Sequence, residues 1–293
     1  MQPVVLDGGL SNALQNRGHD LSDALWSARL LRDEPAEIAA VHRAYYRAGA
    51  TVATTASYQA SVDGFVRAGL PRAEARRLVR SSVTIARDVR DELAGDGRTR
   101  WVAASVGPYG AVLADGSEYR GRYGLGPQAL RDFHAPRLEL LAEASPDLLA
   151  VETIPDADEA EVLVTLLDDL GLPGWFSYSV DGLVTRAGQP LQDAFAAVAS
   201  GTAVVALGVN CCAPGDVLAA LEVARSVTDK PLVAYPNSGE AWDAEARGWS
   251  GASAYDVTLA PAWVAAGARY VGGCCRVGPD DIARLADIVT ASG

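Results

Sequence analysis

The chain has 293 residues, a formal charge of −12 and a pI near 4.7, an acidic balance that argues against nucleic acid or an anionic membrane surface as main partner, since both reward clustered basic residues. No run approaches the roughly 18–20 apolar residues that span a bilayer. The opening MQPVVLDGG lacks a basic segment followed by an apolar one, so the expectation is a soluble, cytoplasmic protein whose partners are small molecules.

Short apolar runs rich in β-formers alternate with longer Ala-, Leu- and Arg-rich segments of helical period, the pattern of repeated βα units around a parallel sheet. The predicted strands are 4–6, 51–54, 101–105, 148–152, 175–179, 204–209, 232–235 and 269–272, each followed by a helical segment. Segment 72–93 carries Leu78, Val79, Ile85, Ala86 and Val89 among Arg and Asp residues, which fits an amphipathic helix covering the sheet. The stretch 107–126, containing PYGAVLADGSEYRGRYG, is too polar and glycine-rich for core and is predicted as a loop over the barrel mouth, a candidate lid. Segments 213–227 and 279–289 read as further helices, the second with Pro279 at its start. No linker or composition break divides 1–293, so the expected architecture is α/β, a single (β/α)8 TIM barrel in one domain.

In such a barrel, function gathers at the C-terminal ends of the strands. Those ends carry Asp7-Gly8-Gly9, Thr54-Thr55, Ser105, Glu152-Thr153, Ser179, Asn210-Cys211-Cys212, Pro236-Asn237-Ser238 and Gly273-Cys274-Cys275, a concentration of polar and thiol groups. The 4 cysteines form two adjacent pairs, a poor framework for stapling a large domain by disulfides and a better one for a reduced, metal-binding set. Cys211 closes the sixth predicted strand, and Cys274 and Cys275 close the eighth. Three thiols can therefore face one point and leave a zinc ion its fourth position for substrate. Cys274 and Cys275 would point to opposite faces of a regular strand, so both reach one metal only where the chain leaves strand geometry, a turn that Gly272 and Gly273 permit. Three thiolates on a divalent ion leave a net charge of about −1, which favours alkylation of a bound sulfur over hydrolysis. Small buried cysteines also simply fill space, and Cys212 reads first as packing, with a spare thiol or a fourth ligand as alternatives. Glu152 ends the apolar run LLAVE, where a carboxylate is costly to bury without a cation or donors. Asp7 before two glycines also fits a turn, and Asn210 can shape the thiol loop through its side chain.

Seven segments in order, LDGGLSNAL at 6–14, TTASYQ at 54–59, SVGPYGA at 105–111, ETIP at 152–155, GVNCC at 208–212, YPNSGE at 235–240 and GGCCR at 272–276, resemble the homocysteine S-methyltransferase family over nearly the whole chain. The resemblance implies a (β/α)8 barrel whose zinc is held by Cys211, Cys274 and Cys275. It also implies that Asp7 and Glu152 hold the substrate amino group while backbone amides around Gly8 and Gly9 receive its carboxylate, with Asn210 at the same site.

The resemblance further implies zinc-dependent methyl transfer to homocysteine, giving methionine. The chain lacks room for folate and cobalamin modules and the extra C-terminal sequence of betaine-using relatives. S-methylmethionine, as in the short bacterial type, therefore ranks first as donor, then S-adenosylmethionine, then betaine; selenocysteine is the alternative acceptor. A barrel hydrolase would need several histidines at the mouth, and His19, His42 and His134 lie at no predicted strand end. A non-catalytic zinc- or thiol-binding barrel is the remaining rival, and intact Asp7 and Glu152 speak against it.

Overall fold

The computed structural model describes residues 2–21, 25, 27–243, 248–250 and 255–291. Each apolar run forms a parallel strand: β1 Val4–Val5, β2 Val52–Thr54, β3 Trp101–Val106, β4 Leu148–Ile154, β5 Gly174–Tyr178, β6 Val204–Asn210, β7 Leu232–Tyr235 and β8 Ala268–Val271. The hydrogen-bonded order runs from β1 through β8, β7, β6, β5, β4 and β3 to β2. A parallel bridge between Leu6 and Val52 joins the two ends of that order and closes the barrel. Runs this apolar become strands because both faces are buried, one in the barrel and one under helices.

Alternation along each strand divides the core in two. Val102, Ala104 and Val106 of β3 face outward into the large cluster shared with the helices, whereas Ala103 faces the barrel interior. Ala150 and Ala206 also point inward, and the space that these small residues leave is filled by Trp175 from β5. Trp175 is fully buried, and its indole N–H donates to the Tyr235 hydroxyl at 2.9 Å, forming the polar floor of the site above.

The helix at 72–93 appears as Arg72–Glu92, with Leu78, Val79, Val83, Ala86 and Val89 on its buried face. Burying each of the larger side chains contributes roughly 1.5–3 kcal/mol. Segment 213–227 is a 3-10 turn, Pro214–Asp216, followed by the α-helix Val217–Val227, and Pro279 starts the helix Pro279–Ala291. Strand ends shift by one or two residues. β4 runs on to Ile154 through a register irregularity after Val151, and Ser179 leaves β5 before a small hairpin of Val180–Asp181 with Val184–Thr185.

Candidate metal and substrate site

The loops leaving β6 and β8 bring three thiols together. The Sγ atoms of Cys211, Cys274 and Cys275 all lie within 4.8 Å of one another, and Cys211 and Cys275 are 3.8 Å apart. Tetrahedral zinc with bonds of about 2.3 Å places its sulfurs about 3.8 Å from each other, so the spacing and the soft donor set both fit that ion. Hydrogen bonds from Cys274 and Cys275 pull the Cys211 thiol well below its ordinary range, and the same contact pushes the other two up. Cys212 stands apart: it is fully buried in the outer core, and burial pushes its thiol up, as packing requires.

Two backbone bonds and one to a side chain hold the two cysteine loops to the end of β7. Cys274 N–H donates to Pro236 O at 2.8 Å, Cys275 N–H to Asn237 Oδ1 at 3.1 Å, and Asn237 N–H to Cys212 O at 3.0 Å. Gly272 and Gly273 contribute differently from the expectation. Neither takes a left-handed φ. A Cβ on Gly272 would stand 2.6 Å from Leu6 Cβ and one on Gly273 2.1 Å from Val277 Cγ1, so their role is to admit neighbouring atoms. The left-handed turns fall on Cys211, at φ 49°, and Arg276, at φ 62°.

The thiols open onto a cavity of about 320 Å³ whose wall also includes Asp7, Gly8, Gly9 and Glu152. Thr54 donates to Asp7 through its N–H at 2.7 Å and its hydroxyl at 2.8 Å. Burial nevertheless pushes the Asp7 carboxyl up to about 8. Glu152 accepts from Ser105 Oγ and, at 3.0 Å, from Tyr235 Oη, and burial pushes it up to about 7. Gly8 and Gly9 are steric necessities, because a Cβ would stand 2.2 Å from Val277 O at the first and 2.6 Å from Cys274 O at the second. The Gly9 N–H already donates to Val277 O at 3.0 Å.

Asn210, expected at the substrate, is fully buried and is not among the residues lining the cavity. Its Oδ1 accepts from Thr153 N at 2.7 Å and Ser177 Oγ at 2.8 Å, while Nδ2 donates to Thr153 Oγ1 at 2.8 Å and reaches Cys274 Sγ at 3.9 Å. It therefore braces the thiol loops from behind.

The stretch 107–126 holds two 3-10 turns, Tyr109–Val112 and Ser117–Tyr119, and supplies one wall of the cavity. Its polar composition pointed away from core, yet Ser117 and Glu118 are buried. Tyr119 places its hydroxyl 3.3 Å from Cys211 Sγ, with the Arg186 guanidinium 6.0 Å from its ring centre. Glu118, Tyr119 and Gln59 are wall residues that sequence reasoning did not single out. The SEY and YQ segments held them, but no period or spacing marked them.

The homocysteine S-methyltransferase family model matches residues 4–289. The chain belongs to that family. It is 46% identical to the homocysteine S-methyltransferase of Escherichia coli strain K12, with 96% of this chain and 94% of that protein covered. It is 43% identical to homocysteine S-methyltransferase YbgG of Bacillus subtilis strain 168, with 97% and 93% covered. The fold superposes on the metallated form of the homocysteine methyltransferase MmuM from E. coli with a TM-score of 0.89, covering 98% of this chain and 96% of that one at 43% identity. Family membership and the eightfold barrel thus agree with both the sequence segments and the strand order.

Proposed function

We propose that this chain transfers a methyl group from a sulfonium donor, S-methylmethionine first and S-adenosylmethionine second, to the thiol of homocysteine, giving methionine. The observation that carries this reading is the group of three thiols opening onto a small cavity walled by buried carboxylates. Cys211, Cys274 and Cys275 are the residues to hold zinc. When bound, a zinc ion with three thiolates carries a net charge of about −1 and keeps an acceptor sulfur electron-rich as the thiolate.

The residues around it bind and orient. Asp7 and Glu152 are buried acids whose charge is costly without a cation, and the ammonium of an amino acid supplies one. Arg137 is buried nearby, but its guanidinium donates to the carbonyls of Gly107, Ser57 and Tyr58 and leaves the carboxylates to the ligand. With the acceptor fixed by its ammonium, its sulfur faces the thiol end of the cavity. A sulfur lone pair forms the new S–CH3 bond, the donor's C–S bond breaks with its electrons going to the donor sulfur, and the thiol proton leaves to solvent. No redox partner is required.

The test is metal content by mass spectrometry together with methionine formation from homocysteine and each donor in parallel. Stoichiometric zinc and turnover with S-methylmethionine are expected. Methionine from betaine alone would overturn the sulfonium assignment, and full turnover by metal-free protein would overturn the zinc.

A further inference from the structure

Two buried acceptors on the cavity wall have no work in the reading so far. Gln59 and Glu118 both line the cavity, with only 6% and 5% of their surfaces exposed. Gln59 donates its amide N–H to Ala111 O at 3.0 Å, yet its Oε1 accepts from no group among the described residues. Glu118 Oε2 likewise lacks a partner among the described residues. Both residues flank one short turn: the Gln59 amide N–H donates to Ala111 O, and a Cβ on the preceding Gly110 would stand 2.5 Å from the Glu118 backbone N. The loops after β2 and β3 thus place Gln59 and Glu118 on the same cavity, each with a side-chain oxygen that has no partner among the described residues.

A buried acceptor without a donor is costly, and a buried carboxylate more so. Burial indeed pushes the Glu118 carboxyl up to about 7. Arg120 is close in sequence, but its guanidinium is directed to Ser117 Oγ and the Asp115 carboxylate. Thr54, Ser105 and Tyr235 already supply donors to Asp7 and Glu152, which the proposed function gives to the acceptor's ammonium. What Gln59 and Glu118 lack is a ligand with both N–H groups and positive charge. A sulfonium or quaternary ammonium centre has the charge and no N–H, whereas a primary ammonium has both.

Building on the proposed function, we propose that Glu118 Oε2 and Gln59 Oε1 receive the primary ammonium of the methyl donor. This wall then selects an amino-acid sulfonium over methyl donors whose only cationic centre bears no N–H, such as betaine.

The test compares zinc-loaded wild type, Glu118→Gln and Gln59→Leu on two sulfonium donors. S-methylmethionine carries a primary ammonium; dimethylsulfoniopropionate does not. Loss of one charge-assisted bond lowers the ratio of kcat/KM for the first donor over the second by about 30-fold in Glu118→Gln, mostly through KM, and by about fivefold in Gln59→Leu. Glu118→Asp recovers part of the ratio. An unchanged ratio overturns the proposal, and so does a rise confined to the homocysteine KM, which would give the carboxylate to the acceptor. If wild type uses neither sulfonium, the proposed function fails, and calorimetry with S-methylmethionine then decides this point separately. Binding about tenfold weaker or more in Glu118→Gln upholds the ammonium site; equal binding, or none by wild type, overturns it. Should Glu118→Gln not fold, the Gln59→Leu ratio decides alone.

Discussion

Replacing Asn210 by Ala separates a brace from a substrate contact. The substitution removes the acceptor of the Thr153 N–H and of Ser177 Oγ and the donor to Thr153 Oγ1, all fully or nearly fully buried. Ser177 can turn to the Tyr235 hydroxyl, 2.8 Å away, so its loss is small. The Thr153 N–H has no such exit, and an orphaned buried donor costs about 1–3 kcal/mol. The missing amide adds a small void. Thr153 sits at φ 60°, and relaxation there returns part of the loss. A net destabilisation of about 2–3 kcal/mol follows, and with an unfolding entropy of about 2.1 cal/mol/K per residue over 293 residues this lowers Tm by about 4 °C. Because Asn210 also reaches Cys274 Sγ, zinc affinity should fall together with Tm. The measurements are calorimetric Tm, zinc content after dialysis against a chelator, and KM for homocysteine. Unchanged Tm and zinc retention with a raised homocysteine KM would refute the brace and make Asn210 a substrate contact.

Single Cys211→Ser, Cys274→Ser and Cys275→Ser variants should each lose most bound zinc and turnover, whereas Cys212→Ala should keep both and lose about 1 kcal/mol of stability on denaturant titration; zinc retention by all three serine variants would remove the metal site. Gly273→Ala forces a Cβ to 2.1 Å from Val277 Cγ1, and the expected outcome is loss of soluble protein or a Tm drop of several degrees; a wild-type melt would show that the loop has room to spare. For pH dependence, Glu152 holds its proton up to about 7 in the folded protein, above the ordinary 4.5. Its contribution to stability is therefore fully present below the ordinary value and is lost as pH rises through about 7. An ammonium ligand needs the ionised form, so the affinity for methionine, whose thioether does not titrate, should weaken as pH falls from about 7 to 5.5, by up to tenfold per unit. Calorimetry reads this, and a wild-type slope no steeper than that of Glu152→Gln would refute the pairing.

Much of the fold was legible because a parallel strand buried on both faces leaves an uninterrupted apolar run, and all eight runs became strands. The thiol group was legible for a related reason, since residues that end those runs must converge at one mouth. What the residues could not convey was which atoms had already found partners. Asn210 read both as a residue of the substrate site and as one able to shape the thiol loop; its four polar contacts, hidden from the sequence, match the second reading. Gly272 and Gly273 suggested a turn, whereas their use is the space they leave for Leu6 and Val277. Glu118 and Tyr119 were hidden by their place in an aperiodic loop, where burial is set by the opposing elements and leaves no pattern in the sequence.

The thiols also show how a barrel departs from strand geometry without glycine at the turning residue. Strict alternation would send Cys274 and Cys275 to opposite faces. The chain instead accepts left-handed φ at Thr153, Cys211 and Arg276, three non-glycine residues at the ends of β4, β6 and β8, at a cost of roughly 1–3 kcal/mol each. Such turns persist only where neighbours hold them: the Cys211 N–H donates to Tyr235 O at 3.3 Å, and asparagine side chains hold the other two. Asn210 Oδ1 accepts the Thr153 N–H at 2.7 Å and Asn12 Oδ1 the Arg276 N–H at 2.8 Å, while Asn237 Oδ1 accepts the N–H of the unstrained Cys275 at 3.1 Å. An amide oxygen is short, uncharged and fixed in direction, so it can anchor a strained turn beside thiolates without adding to their negative charge. A carboxylate in any of these three places would do the same geometric work, but its repulsion would oppose the ionisation on which metal binding depends. The three asparagines therefore hold the Thr153 and Arg276 turns and the Cys275 amide at no electrostatic expense to the thiols, while the Cys211 and Cys274 amides are held by the carbonyls of Tyr235 and Pro236.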